Sequence, residues 1–92
     1  MKFVWDPNKE AINIKKHGID FSTASYVFND YQRLEQHDSN HSIDEDRYKT
    51  IGMLNHTLII VCVIYTLRNE LCRIISARRA TKKEELAYYG NL

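Results

Sequence analysis

The longest apolar run is Leu58-Ile59-Ile60-Val61-Cys62-Val63-Ile64-Tyr65. Its length and β-branched content predict a central strand covered on both faces. Upstream, Arg47 to Leu54 reads as a strand that leads through an Asn55-His56 turn into Thr57 to Thr66. Downstream, Leu67 to Glu70 turns the chain into a strand from Leu71 to Arg78. Turns this short predict an antiparallel meander. Tyr31 to His37 is a further strand, Phe3-Val4-Trp5 is a short strand or extended lead, and Asp38 to Asp46 is an exposed polar loop.

Helical signals bracket the strands. Asp6 caps a first helix with Pro7 at the opening position, where a missing N–H costs nothing, and Gly18 ends it in a left-handed cap. Ala11, Ile12 and Ile14 form the expected apolar side; Lys9, Asn13, Lys16 and His17 carry the polar functions. Phe21 and Ser22 open a second helix, with Ala24, Val27 and Phe28 at helical spacing, which stops near Asn29-Asp30. Thr81 and Glu84 form a capping box for a last helix from about Lys82 to Tyr89, released by Gly90. The expected architecture is α+β, a single domain over residues 1–92. Two N-terminal helices pack on a curved antiparallel sheet of about four strands, with the helices on one side, plus a C-terminal helix.

The chain has 92 residues and a formal net charge of +1, which hides an asymmetry. Asp30, Glu35, Asp38, Asp44, Glu45 and Asp46 face only Arg33, whereas Arg68, Arg73, Arg78, Arg79, Lys82 and Lys83 face only Glu70. That pattern suggests a local basic patch rather than a uniformly basic protein. With no apolar run of membrane-spanning length and no signal-peptide pattern, a cytoplasmic location is expected. Cys62 and Cys72 lie inside apolar strands and match no zinc spacing, so they read as small buried hydrophobes.

The chemistry concentrates where the last strand ends. Arg73-Ile74-Ile75-Ser76-Ala77-Arg78-Arg79 delivers guanidinium forks, which match phosphate oxygens, to the start of the last helix. Arg73 shares a face with Ile75 and Ala77 in this reading and is partly buried. Tyr65 ends the central strand and either points its hydroxyl into the same cleft or packs in the core. His17 ends the first helix, as a cap or as a proton carrier. His37 and His41 with Asp38 and Asp44 mimic a metal site only weakly, and no glycine-rich phosphate loop occurs.

Trp5-Asp6-Pro7-Asn8-Lys9, Lys16-His17-Gly18-Ile19-Asp20-Phe21, His41-Ser42-Ile43-Asp44-Glu45-Asp46-Arg47-Tyr48 running to Ile51-Gly52, and Arg73-Ile-Ile-Ser-Ala-Arg78 follow one another in order. Together they resemble the BrnT family, the toxin half of BrnT/BrnA toxin–antitoxin systems, over essentially the whole chain. The resemblance implies a RelE/ParE-like scaffold and a metal-independent endoribonuclease that blocks translation and is silenced by a BrnA-like antitoxin. It implies RNA as substrate, operator DNA bound only through the toxin–antitoxin complex, and neither membrane nor cofactor. The candidate catalytic residues are His17, Arg47, Tyr65 and Arg78; Lys16, Arg73, Arg79, Lys82 and Lys83 are candidate RNA contacts. A toxin fold that acts only by protein binding is the alternative.

Overall fold

The structure, a computed structural model, describes residues 1–39, 45–55 and 57–92. His41 and Asp44 of the polar loop, and His56 of the expected turn, lie outside the described residues. Along the chain run β1 (Lys2–Val4), α1 (Pro7–His17), α2 (Phe21–Ser25) continued by a 3-10 turn (Tyr26–Asn29), β2 (Leu34–His37), β3 (Arg47–Met53), β4 (Ile60–Arg68), β5 (Leu71–Arg79) and α3 (Lys82–Gly90). The caps are those the residues predict: Asp6 accepts from the Asn8 amide, Gly18 is left-handed, and Thr81 with Glu84 closes a capping box.

The sheet has five strands in the order β1-β5-β4-β3-β2, not about four. It is mixed, because β1 pairs parallel with β5 while β2 to β5 form the antiparallel meander. The apolar lead is therefore an edge strand; Phe3 packs on the core while its backbone covers the open edge of β5.

The period-2 alternation of β4 builds two cores. Val61 and Val63 pack with Phe21, Ala24, Val27, Ile74 and Ala77 under α2 and the 3-10 turn. Ile60 and Cys62 face the other way and pack with Ile51 and with Tyr88 of α3. The helices thus lie on both faces of the sheet rather than on one. A strand apolar at every position has to be covered twice, so α3 crosses to the side that α1 and α2 leave bare. The two cysteines are free and sit on opposite faces. Burial pushes the Cys62 thiol up to about 11 and the Cys72 thiol up to about 12.

Helix α1 inverts its expected orientation. Ile12 and Ile14 are 65% and 44% exposed, and Asn13 is the buried residue at 5%. The cause is an unfinished edge: β1 covers β5 only at Leu71 to Arg73. Beyond it, Asn13 donates to the Ala77 carbonyl at 2.8 Å and accepts from the Ala77 amide at 3.1 Å. A carboxamide carries the donor and acceptor of a peptide group and so stands in for the missing strand. Its second N–H reaches the Ile19 carbonyl at 2.9 Å.

Asp30 performs the matching task at the other edge. Its Oδ2 accepts from the Met53 amide at 2.9 Å, just past the last β2–β3 pair, and from the Tyr88 hydroxyl at 2.6 Å. The carboxyl is held below its usual range: the Met53, Tyr88 and Gln32 hydrogen bonds outweigh the opposing effect of burial, the largest single influence. Gly52 permits this approach, since a Cβ there would meet Val27 Cγ2 at 2.9 Å and Arg33 Cβ at 3.0 Å.

A β-bulge between β4 and β5 corrects the reading of Arg73. Tyr65 pairs with Ile74 and Ile64 with Ser76, leaving Ile75 as the extra residue. The alternation breaks there, so Arg73 does not share a face with Ala77 and is exposed.

Asn13→Ala is expected to cost about 2 kcal/mol or more, because two backbone groups of β5 lose their partner in a buried setting. Ile12→Ala, at an exposed position, should stay within about 0.5 kcal/mol of the parent. Urea denaturation of the two variants checks both; the reverse ranking would restore the apolar reading of Ile12.

Candidate functional site

Helix α3 covers only part of its face of the sheet, and the remainder is an open cleft of about 550 Å³. Its lining comes from four strands: Gln36 and His37 from β2, Arg47 and Lys49 from β3, Ile64 from β4, and Ile75, Ser76 and Arg78 from β5, with Asp38 and Ser39 at the rim. Lys49, Ile64 and Ser76 are cross-strand partners in one row, so Ile64 is an apolar floor between polar neighbours. Two steps along β3 place Arg47 and Lys49 on the same face.

Arg78 reaches the cleft from beside the start of α3, where Glu84 holds it. Nη1 donates to Oε1 at 2.7 Å and Nη2 to Oε2 at 3.0 Å, a bidentate pair. Glu84 Oε2 also lies 3.5 Å from Lys49 Nζ, and Oε1 accepts from the Thr81 amide at 2.8 Å. One carboxylate thus caps α3 and fixes two cations of the cleft. The Arg78 hydrogen bonds, ahead of the Thr81 amide and Lys49, hold the Glu84 carboxyl at about 2, and the same pair raises the Arg78 guanidinium further above its ordinary range.

His37 stands at the end of β2. Its Nε2 lies 3.1 Å from Asp46 Oδ1, and its ring meets Tyr48 edge-on at 5.5 Å. Because His37 is the cross-strand partner of Tyr48, its ring turns to the Tyr48 side of the sheet, and it borders the cleft at the sheet edge without projecting onto the Lys49–Ile64 floor.

The structure brings Arg47 and Arg78 into this one cleft and separates the other sequence candidates from it. Tyr65 lies on the opposite face, in the core, stacked on Tyr48 and donating to Glu35 at 3.2 Å. Burial, followed by the Glu35 carboxylate, drives its hydroxyl well above the ordinary range. Strand alternation explains this correction: Ile64 floors the cleft, so its neighbour must point away.

Lys16 and His17 line a separate groove of about 200 Å³, which shares Ile75 and Ser76 with the cleft. Arg73 lines a small hollow with Val4, Glu45 and Arg68. Arg79, Lys82 and Lys83 are exposed and are not among the described lining residues of the cleft. Among the described residues no group of His, Cys, Asp or Glu is arranged to hold a metal ion.

Sequence reasoning passed over Lys49 and the functional side of Glu84, and weighed His37 only as a metal ligand. Each left a trace. Lys49 sits two residues from Arg47 in a strand pattern, and Glu84 is the capping-box residue facing the arginine-rich strand end. The β2–β3 register pairs His37 with Tyr48 and so turns its ring to the Tyr48 side of the sheet.

Comparison with known proteins gives consistent findings. The family model described as "Ribonuclease toxin, BrnT, of type II toxin-antitoxin system" matches residues 5–84. The crystal structure of the Brucella abortus ribonuclease toxin, BrnT, superposes with a TM-score of 0.67 at 30% sequence identity, covering 89% of this chain and 99% of that one. No curated protein matches the chain.

The Glu84 clasp predicts an acid transition. Its carboxyl falls from 4.5 to about 2 on folding, so its stabilisation is complete above about 4.5 and drains away as pH drops towards about 2. Glu84→Gln is expected to lose on the order of 2 kcal/mol near neutral pH. The gap between parent and variant should shrink on acidification through that window. Urea titrations at several pH values measure it, and a gap independent of pH would rule out the clasp.

Proposed function

The chain belongs to the BrnT ribonuclease toxins of type II toxin–antitoxin systems, and on that premise we propose that it is an endoribonuclease whose scissile phosphate lies between Arg47 and Arg78. The observation that carries this reading is the convergence of Arg47, Lys49 and Arg78 from two strands on one apolar floor, with His37 at the rim.

In this mechanism the ribose 2′-hydroxyl attacks the neighbouring phosphorus as its proton is withdrawn. The P–O5′ bond breaks, the 5′-oxygen leaves protonated, and a 2′,3′-cyclic phosphate remains. Attack crowds negative charge onto the phosphoryl oxygens. Arg78, already aligned by Glu84, and Arg47 stabilise that charge without having to reorganise, which is where positioned cations contribute most. Solvent in the open cleft takes up the 2′-hydroxyl proton and supplies the one with which the 5′-oxygen leaves. Tyr65 has no part in the chemistry, and no divalent ion is required.

Membership of this family implies an antitoxin partner. We take that partner to be BrnA-like, silencing the toxin by closing the cleft, with operator DNA engaged only by the pair. Cleavage of RNA would account for inhibition of translation.

RNA cleavage should persist in EDTA and yield cyclic or 3′-phosphate ends. Arg47→Ala should reduce it by about a hundredfold, the usual consequence of removing one preorganised partner of the transition-state charge. Tyr65→Phe should leave the rate within about twofold, since it removes no group from the cleft. Activity that vanishes with chelation and returns with a divalent ion overturns the metal-free route. An equal loss in Tyr65→Phe overturns the placement of the cleft.

A further inference from the structure

We propose that the flank of α1 beside β5 is an RNA-binding subsite, holding the strand on one side of the cut while the cleft holds the scissile phosphate. The inference rests on the ribonuclease reading above, and it assigns the source of substrate affinity rather than the chemistry.

Lys9, Ile12, Asn13 and Lys16 fall at helical spacing on one stripe of α1 and line the groove of about 200 Å³ together with His17. The groove is continuous with the cleft, because Ile75 and Ser76 line both. Ile75, the bulged residue of β5, lies in that shared saddle.

Charge sets the two regions apart. In the cleft, Glu84 pairs Arg78 and lies against Lys49, so much of the positive charge is already answered. Lys9, Lys16 and His17 have no ion-pair partner among the described residues and are exposed. Between the lysines, Ile12 presents a side chain that is 65% exposed.

Unanswered cations about 10 Å apart along a helix axis suit two phosphates of a single strand, reached by flexible lysine side chains. An apolar side chain between them suits the face of a base or sugar. The combination fits single-stranded RNA better than an acidic peptide, because the groove runs directly into the cleft where the phosphate is cut.

The test is binding of a single-stranded RNA oligonucleotide, 2′-O-methylated throughout so that it cannot be cleaved, to the intact chain. The double variant Lys9→Ala, Lys16→Ala should bind it about tenfold or more weakly at low salt. The slope of log affinity against log salt should fall by about 1.4, at about 0.7 for each lost phosphate contact. Alanine preserves the helix, and a melting curve confirms that the variant is folded. The kcat/KM for a long RNA should fall by more than that for a dinucleotide.

Unaltered affinity and slope in the folded variant overturn the subsite, and so does a variant that weakens only antitoxin binding. The cleft reading stands or falls separately. A loss of cleavage in Arg47→Ala with an unaffected salt slope in the lysine variant leaves the cleft and removes the subsite; the converse removes the cleft and leaves the subsite.

Discussion

The bidentate pair between Arg78 and Glu84 is the contact on which strand, helix and cleft all depend. Arg78 is the penultimate residue of β5, and Glu84 belongs to the first turn of α3. Only a tight Ala80-Thr81 connection separates them, so the pair fixes the angle at which the helix leaves the sheet. The same carboxylate closes the capping box and lies against Lys49 two strands away. Arg78 and Lys49 are therefore positioned by the fold itself. A bidentate pair that is only partly exposed keeps more of its Coulomb energy than a surface ion pair does, and the cap ties that energy to helix formation.

The sheet's two ends are finished in one way with different chemistry. Strand pairing stops short on the outer side of β5 and at the far end of β3, and each gap is met by a short polar side chain. Asn13 supplies both a donor and an acceptor to the Ala77 peptide; Asp30 supplies an acceptor to the Met53 amide and binds the Tyr88 hydroxyl. The choice follows from what each edge offers. A peptide showing both groups wants a carboxamide, whereas an isolated N–H wants a carboxylate. Through Tyr88, the second clamp also anchors the far end of α3, so that helix is pinned at both termini by acids that the rest of the fold positions.

Much of this was legible along the chain. The meander follows from apolar runs divided by short turns, and the helix boundaries follow from Asp6, Gly18 and the Thr81–Glu84 box. Arg47 and Arg78 stand among the candidates named from the sequence, and both line one cleft. What periodicity could not carry was the third dimension. Ile12 and Ile14 look like a core face, but Asn13 is drawn inward by unpaired backbone, and hydrogen-bond completion outranks the burial of two aliphatic side chains. Arg73 was misplaced because a single bulged residue, silent in the sequence, reversed the alternation. Tyr65 stays open between cleft and core in the sequence, because the end of a strand says nothing about which face it presents until the register is known; the register puts it in the core. The two-sided cover was available from the sequence: an all-apolar β4 already excludes helices on one side only.

An enzyme that cuts a polyanion faces two demands that pull apart. Cations tuned to a crowded phosphoryl transition state work best when rigid and already paired, but pairing lowers their attraction for the ground-state substrate. In the ribonuclease mechanism proposed above, the Glu84 clasp would meet the first demand at the expense of the second. Binding energy then has to come from residues remote from the reacting atoms, where attraction for substrate and transition state alike holds the strand in place. The proposed subsite assigns that task to Lys9 and Lys16, whose groove shares Ile75 and Ser76 with the cleft. The exposure of Ile12 is then the cost of turning Asn13 inward, and the same rotation that completes the β5 edge lays an apolar step between two cations on the path to the cleft.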